Sequence, residues 1–320
     1  MYTRIVRIVI SSISLLQASI AYQPITIMTA PLGGTGCGHR QVTESLLRGL
    51  AHLEIPFVYN PSRLNQVTEI VIVLADPKAL QQAIVLKKKR KIKYLCAGPN
   101  IMTRADEHDG ILASPEVDIC IVPSAWVATA YEEEMPALKG RIRSWFAGVD
   151  ALYWLCDKAK IADNNVLIYW KTESESFVHE IESIARETGF NPIRLRYGHH
   201  TAVQYKAVLE QVSLAIFISL SESQGIALAE AWSMNVPTLV WNSGKLHAHG
   251  RIYSAVSASP YLTELTGRMW KSMPELRYLL YRLSDNFFAP RQWVIEHMTD
   301  VVSTRMLLDL INQGVNESIF

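Results

Sequence analysis

Phe217-Ile218-Ser219-Leu220-Ser221-Glu222-Ser223-Gln224-Gly225-Ile226-Ala227-Leu228-Ala229-Glu230-Ala231-Trp232 passes from an apolar strand, through a polar turn, into an alanine-rich helix. Gly225 sits where the backbone has to turn tightly between strand and helix, a place suited to the residue without a Cβ. The N–H groups of a helix's first turn have no partner inside the helix. With the helix dipole they form an anion site, here one suited to a diphosphate. Glu222 lies in the turn and Glu230 inside the helix, so both can face one cleft with different tasks. A carboxylate is an acceptor well matched to adjacent sugar hydroxyls.

Working outward, the same alternation of short apolar strands and amphipathic helices runs through the chain, the pattern of α/β layers around a parallel sheet. Strands are predicted at 25–29, 56–59, 69–74, 93–96 and 119–123, with a helix over 41–53 after the loop Pro31-Leu32-Gly33-Gly34-Thr35-Gly36-Cys37-Gly38. Residues 22–150 thus read as one Rossmann-like domain. The pattern pauses at Gly148-Val149-Asp150 and resumes with strands at 165–170, 193–197, 214–219 and 238–241 and a helix over 177–188 that Gly189 ends. Residues 151–289 therefore read as a second Rossmann-like domain, and 290–320 as one or two closing helices.

The amino terminus carries Arg4 and Arg7 around an apolar stretch, then Ser19-Ile20-Ala21, the order of a signal or membrane-targeting segment over 1–21. It is short and serine-rich for a membrane span. In all, 320 residues carry a net charge of +1 and 49% hydrophobic residues, a globular composition without a field for nucleic acid. Lys87-Lys88-Lys89-Arg90-Lys91-Ile92-Lys93 is the one charge run; it reads as a solvated helix end, with docking on an anionic membrane surface or on nucleic acid as the second reading. Cys37, Cys96, Cys120 and Cys156 form no close pair, and Cys96 and Cys120 read as inert buried thiols. Neither Asp-x-Asp nor His-Glu-x-x-His occurs, so no metal site is expected.

The Glu222-x7-Glu230 spacing, the Glu-Ser-x-Gly turn and the following Asn235-Val236-Pro237-Thr238-Leu239-Val240 closely resemble the donor motif of the family-four (group 1) retaining glycosyltransferases. Gly33-Gly34 before a helix is similar to that family's first-domain glycine loop, Trp145-Phe146-Ala147-Gly148-Val149-Asp150 to its interdomain segment, and Ser259-Pro260-Tyr261-Leu262 with Gly267 to the loop after the donor helix. The resemblance implies a GT-B fold, two Rossmann-like domains facing a central cleft with C-terminal helices. It implies transfer from a nucleotide-sugar to an acceptor that the sequence does not identify, with retention, without a metal and with no cofactor beyond the donor. The roles it implies place Glu222 on the donor sugar, Gly225 with Ile226 and Ala227 on the phosphate and Glu230 on the ribose, with Ser223 and Gln224 also among the donor-binding residues and Gly33, Gly34 and His39 on the acceptor side. Nucleotide-sugars are normally cytosolic, so the expected place is the cytosol or the cytosolic face of a membrane, with export as the alternative that the leader suggests.

The chain also departs from the family. An Arg and a Lys usually follow the second domain's first strand, and Tyr169-Trp170-Lys171-Thr172-Glu173 offers only Lys171. The family's first-domain histidine has no clear counterpart; Asn100 and His108 fall in that stretch and read as loop residues. His199-His200 ends a strand, on the cleft side in this architecture. A nicotinamide fingerprint fails because His39 stands where a third glycine is needed, and a P-loop fails because His39-Arg40 follow Gly38. The remaining alternative is a catalytically degenerate GT-B protein that binds a glycan, nucleotide or partner protein.

Overall fold

Runs of β-branched and aliphatic residues form the strands. Ile25–Thr29, Ile70–Leu74 and Leu214–Ile218 are buried at every position, as strands of a parallel sheet covered on both faces must be. The computed structural model describes residues 23–31, 38–156, 164–254 and 256–317. The expected leader over 1–21 and the glycines Gly33 and Gly34 lie outside these residues.

The first sheet comprises β1 (Ile25–Thr29), β2 (Phe57–Tyr59), β3 (Ile70–Leu74), β4 (Tyr94–Ala97), β5 (Ile119–Val122) and β6 (Ile142–Ser144). Its order is β2-β1-β3-β4-β5-β6, parallel throughout. Helices α1 (Gly38–His52), α2 (Pro77–Lys88) and α3 (Ala125–Glu134) link its strands. The second sheet holds β7 (Asn165–Trp170), β8 (Asn191–Arg196), β9 (Leu214–Ile218), β10 (Thr238–Trp241) and, after a two-stranded hairpin of β11 (Leu246–Ala248) and β12 (Arg251–Tyr253), β13 (Gly267–Trp270). Its order is β13-β10-β9-β7-β8, again parallel, with α4 (Glu175–Glu187), α5 (Ala202–Leu209) and α6 (Ile226–Ser233) between its strands. Strand order reverses at β1 and at β7. Ligands of such sheets bind beyond the strands' carboxyl ends at that switch.

Three helices close the chain: α7 (Met273–Tyr281), α8 (Pro290–His297) and α9 (Asp300–Glu317). The last one crosses back to the first domain. Leu307, Leu308 and Ile311 join Ile27, Leu46 and Leu50 in one buried core. Gly49 has no room for a Cβ, which would lie 1.9 Å from Thr304 Oγ1, so α1 and α9 approach closely at that point. The chain therefore passes between the domains twice, side by side. The N–H of Val149 donates to Met298 O at 2.9 Å, and Trp145 Nε1 donates to Ser303 O at 2.8 Å.

Several elements differ from the expectation. Gly267, expected in a loop, begins β13, where a Cβ would meet Thr238 O at 1.9 Å; a glycine chosen for close strand approach gives no strand signal. The β11–β12 hairpin and the three-residue β6 carry too few apolar residues to be seen. The charge run is largely neutralised at its ends: Lys87 pairs with Asp118, Lys88 with Glu116 and Lys93 with Glu69, while Lys89, Arg90 and Lys91 stay exposed. Cys96 and Cys120 are buried free thiols, and burial pushes Cys120 up to about 12. Among the described residues no helix is long and apolar enough to cross a membrane, and no three His, Cys, Asp or Glu gather as metal ligands would.

Candidate functional site

Strand β9 delivers a turn that is tied down before the helix begins. Leu220 N–H donates to Thr172 Oγ1 at 3.2 Å, and Glu222 N–H to Ser257 O at 3.0 Å. Gly225 then takes φ 85° and ψ 56°, the left-handed region that a side chain strains. A Cβ there would stand 2.8 Å from Leu228 Cδ1. Ala229 N–H is the first to reach back, to Gly225 O at 3.2 Å, so the amides of Ile226, Ala227 and Leu228 precede the helical ladder. Ile226 and Ala227 are half-buried, and all three residues line a cavity of about 440 Å³.

Glu222 is held from both domains. Its carboxylate takes Lys171 Nζ at 3.0 and 3.3 Å, and its carbonyl accepts Trp126 Nε1–H from the first domain at 2.9 Å. Lys171 stands at the end of β7 with its ammonium 4.7 Å from the centre of the Tyr197 ring. The one expected cation is thus at the site, already neutralised by the expected sugar-binding carboxylate.

Glu230, 6% exposed, accepts Gln41 Nε2–H from α1 at 2.9 Å. Burial pushes its carboxyl up to about 8, against the opposing pull of the Gln41 amide. Around it stand Tyr169 and Tyr205 on the second domain. Their phenols are pushed well up by burial and then by nearby charges, Glu230 among them. Tyr205 OH donates to Ala227 O at 2.7 Å, and Tyr169 OH lies 3.3 Å from His200 Nε2.

Glu222, Glu230, Ser223, Gln224, Gly225, Ile226, Ala227, Lys171 and His39 all line the 440 Å³ chamber. His39, expected on the acceptor side, shares that chamber with Glu230. Gln224 is otherwise occupied: its carboxamide accepts Ala147 N–H at 2.9 Å and donates to Ala147 O at 2.8 Å, which fixes the turn to the interdomain segment and leaves it little to offer a donor. A second chamber of about 630 Å³ adjoins the first; Asn100, Pro123, Lys171, Glu222 and Ser223 line both. Asn100 therefore belongs to the site, at positive φ, whereas His108 lines neither chamber. His200 belongs to it as well. Sequence reasoning missed Gln41, Trp126, Tyr169 and Tyr205; only the placement of Tyr169 at the end of a cleft-facing strand could have flagged one of them.

No family model matches the sequence, and no curated protein matches it either. Solved structures do. The apo lipopolysaccharide outer core galactosyltransferase WaaB is 14% identical, with a TM-score of 0.56 over 93% of this chain and 99% of that one. HepE from Anabaena, in complex with UDP and glucose, is 10% identical, with a TM-score of 0.54 over 91% and 100%. The catalytic domain of starch synthase IV from Arabidopsis thaliana, bound to ADP and acarbose, is 8% identical, with a TM-score of 0.59 over 93% and 99%. At such identities the likeness is one of fold, and in fold the chain is a GT-B protein, two Rossmann-like domains facing across a cleft that Glu222, Lys171 and Glu230 line.

Proposed function

We propose that the chain is a glycosyltransferase that moves a sugar from a nucleotide-sugar to an acceptor hydroxyl, with retention and without a metal. The observation that carries this reading is the seating of Glu222, Lys171, the open first turn of α6 and Glu230 along one 440 Å³ chamber. A nucleoside diphosphate laid there has its ribose hydroxyls at Glu230 and its diphosphate at the amides of Ile226 and Ala227, with the sugar toward Glu222. Lys171 turns from Glu222 to the leaving diphosphate as negative charge develops on it, and the helix start adds to that stabilisation. The bond from the sugar's anomeric carbon to the phosphate oxygen breaks, the acceptor oxygen bonds to that carbon, and the acceptor's proton leaves with the diphosphate. Retention is what the resemblance to the family-four enzymes implies. The chemistry of the donor favours the cytosol or the cytosolic face of a membrane.

Thermal unfolding against UDP-, GDP- and ADP-sugars tests the reading, because a ligand bound only by the folded state raises the midpoint by mass action. At least one series should give a shift that Glu230→Gln reduces; no shift with any nucleotide refutes it. One observation favours a second reading, a binding protein without turnover. Among the described residues Lys171 is the one Lys or Arg lining the donor chamber, where the family pattern has two cations. The two readings separate in a donor-hydrolysis assay, since a binding protein holds the nucleotide-sugar without releasing free sugar.

A further inference from the structure

We infer that the 630 Å³ chamber takes the acceptor, and that this acceptor is a small uncharged molecule with hydroxyls on one side and an apolar face on the other, a neutral glycoside being the type; the inference rests on the donor reading of the Glu230 chamber. Its volume falls in the range of small-molecule sites, about 300 to 1,000 Å³. Glu222, Lys171 and Ser223 stand in both chambers, so an acceptor hydroxyl held here meets a donor sugar at their junction.

The chamber's walls specify the chemistry. Met102, Leu112, Val127 and Ala130 give it an apolar side. The indole N–H of Trp126 is spent on Glu222 O at 2.9 Å, so this residue presents a ligand with its apolar body. The charged lining residues are Arg104, Lys171, Glu107, Glu134 and Glu222. Both cations are compensated, Arg104 by Asp106 and Lys171 by Glu222. Glu107 and Glu134 are in no ion pair among the described residues; Glu107 accepts Thr103 N–H at 3.2 Å, and Glu134 accepts Ala105 N–H at 2.7 Å and Tyr253 OH at 2.6 Å. The balance is negative and repels a phosphate or carboxylate. The hairpin residues Leu246, Ala248 and Tyr253 also line the chamber, and the Tyr253 to Glu134 bond joins the hairpin to α3, which bounds the acceptor's size.

The test uses matched probes of equal shape: p-nitrophenyl glucoside and galactoside against the corresponding glucuronide and galacturonide. Binding to the full chain is measured by calorimetry and by ligand-observed NMR, with and without UDP, GDP or ADP. At least one neutral glycoside should bind about tenfold or more tightly than its uronide, about 1.4 kcal/mol, and Glu107→Gln with Glu134→Gln should shrink that gap below about threefold while leaving nucleotide affinity unchanged. A uronide that binds as well as its neutral partner overturns the inference. So does a gap that both substitutions leave intact, or the failure of every glycoside to bind folded protein that holds nucleotide. Glycoside binding without any nucleotide binding upholds this chamber and refutes the donor reading instead.

Discussion

At the scale of single residues, the two glutamates of the turn and helix have separable tasks. On the proposed reading Glu230 holds a part of the donor that does not change in the reaction, so Glu230→Gln should mainly raise KM for the nucleotide-sugar. Glu222 holds Lys171 at 3.0 Å and, on the proposed reading, faces the reacting sugar; Glu222→Gln should then lower kcat by about tenfold or more with little effect on the affinity for free nucleoside diphosphate. Steady-state kinetics with the donor that binds best checks both. The reverse split, with kcat lost at Glu230 and KM raised at Glu222, would contradict these roles. Glu230 also makes stability depend on pH. Its carboxyl titrates near 4.5 when unfolded and at about 8 when buried, so between these values the folded chain holds a proton that the unfolded chain has released. The contribution of this one group is therefore fully present below pH 4.5 and falls as the pH rises through that window. Urea unfolding at about pH 5 and about pH 8.5 should show the wild type losing about 2 kcal/mol or more relative to Glu230→Gln.

At the scale of elements, the strand-turn-helix unit around α6 depends on one backbone conformation. Gly225 holds φ 85°, with a Cβ position 2.8 Å from the buried Leu228 side chain. Gly225→Ala should cost about 1 to 2 kcal/mol in denaturant unfolding, and it should weaken nucleotide binding because the first-turn amides move with it. Unchanged stability would mean that the turn relaxes freely. The same unit explains what could be read in the sequence. Fully buried strands such as Ile70–Leu74 and Leu214–Ile218 are unbroken apolar runs, and Glu222, Gly225 and Glu230 share one local stretch whose spacing already sets them along one chamber. What stayed hidden is either short or non-local. Strand β13 starts on a glycine, the hairpin alternates weakly, and Gln41 meets Glu230 only because two domains bring residues 189 positions apart within 2.9 Å. Trp126, likewise, reads as one more apolar residue of a helix until its indole is seen on Glu222 O.

At the scale of the whole molecule, the cleft is clasped along its length. Gln41 meets Glu230, Trp126 meets Glu222, Gln224 meets Ala147, Tyr261 OH donates to Pro123 O at 2.6 Å, and Tyr253 meets Glu134. The chain crosses between the domains twice at one place, where Arg48 Nε of α1 holds Asp300 at 2.6 Å and stands 3.7 Å from Asp150. The last helix fills the first domain's core from the far end of the sequence. Such an arrangement should unfold as one unit, because the first domain loses part of its core as soon as the second crossing comes away. Leu308, 3% exposed among the first domain's residues, is the probe. Leu308→Ala removes buried methyl groups at a cost of about 2 to 5 kcal/mol, which should lower a single calorimetric midpoint by roughly 3 to 7 °C. Saturating nucleotide, which the proposed reading seats mainly on the second domain, should raise that same midpoint in both the wild type and the variant. Two resolved transitions, one moved only by Leu308→Ala and the other only by nucleotide, would show that the domains unfold separately and that α9 couples them weakly.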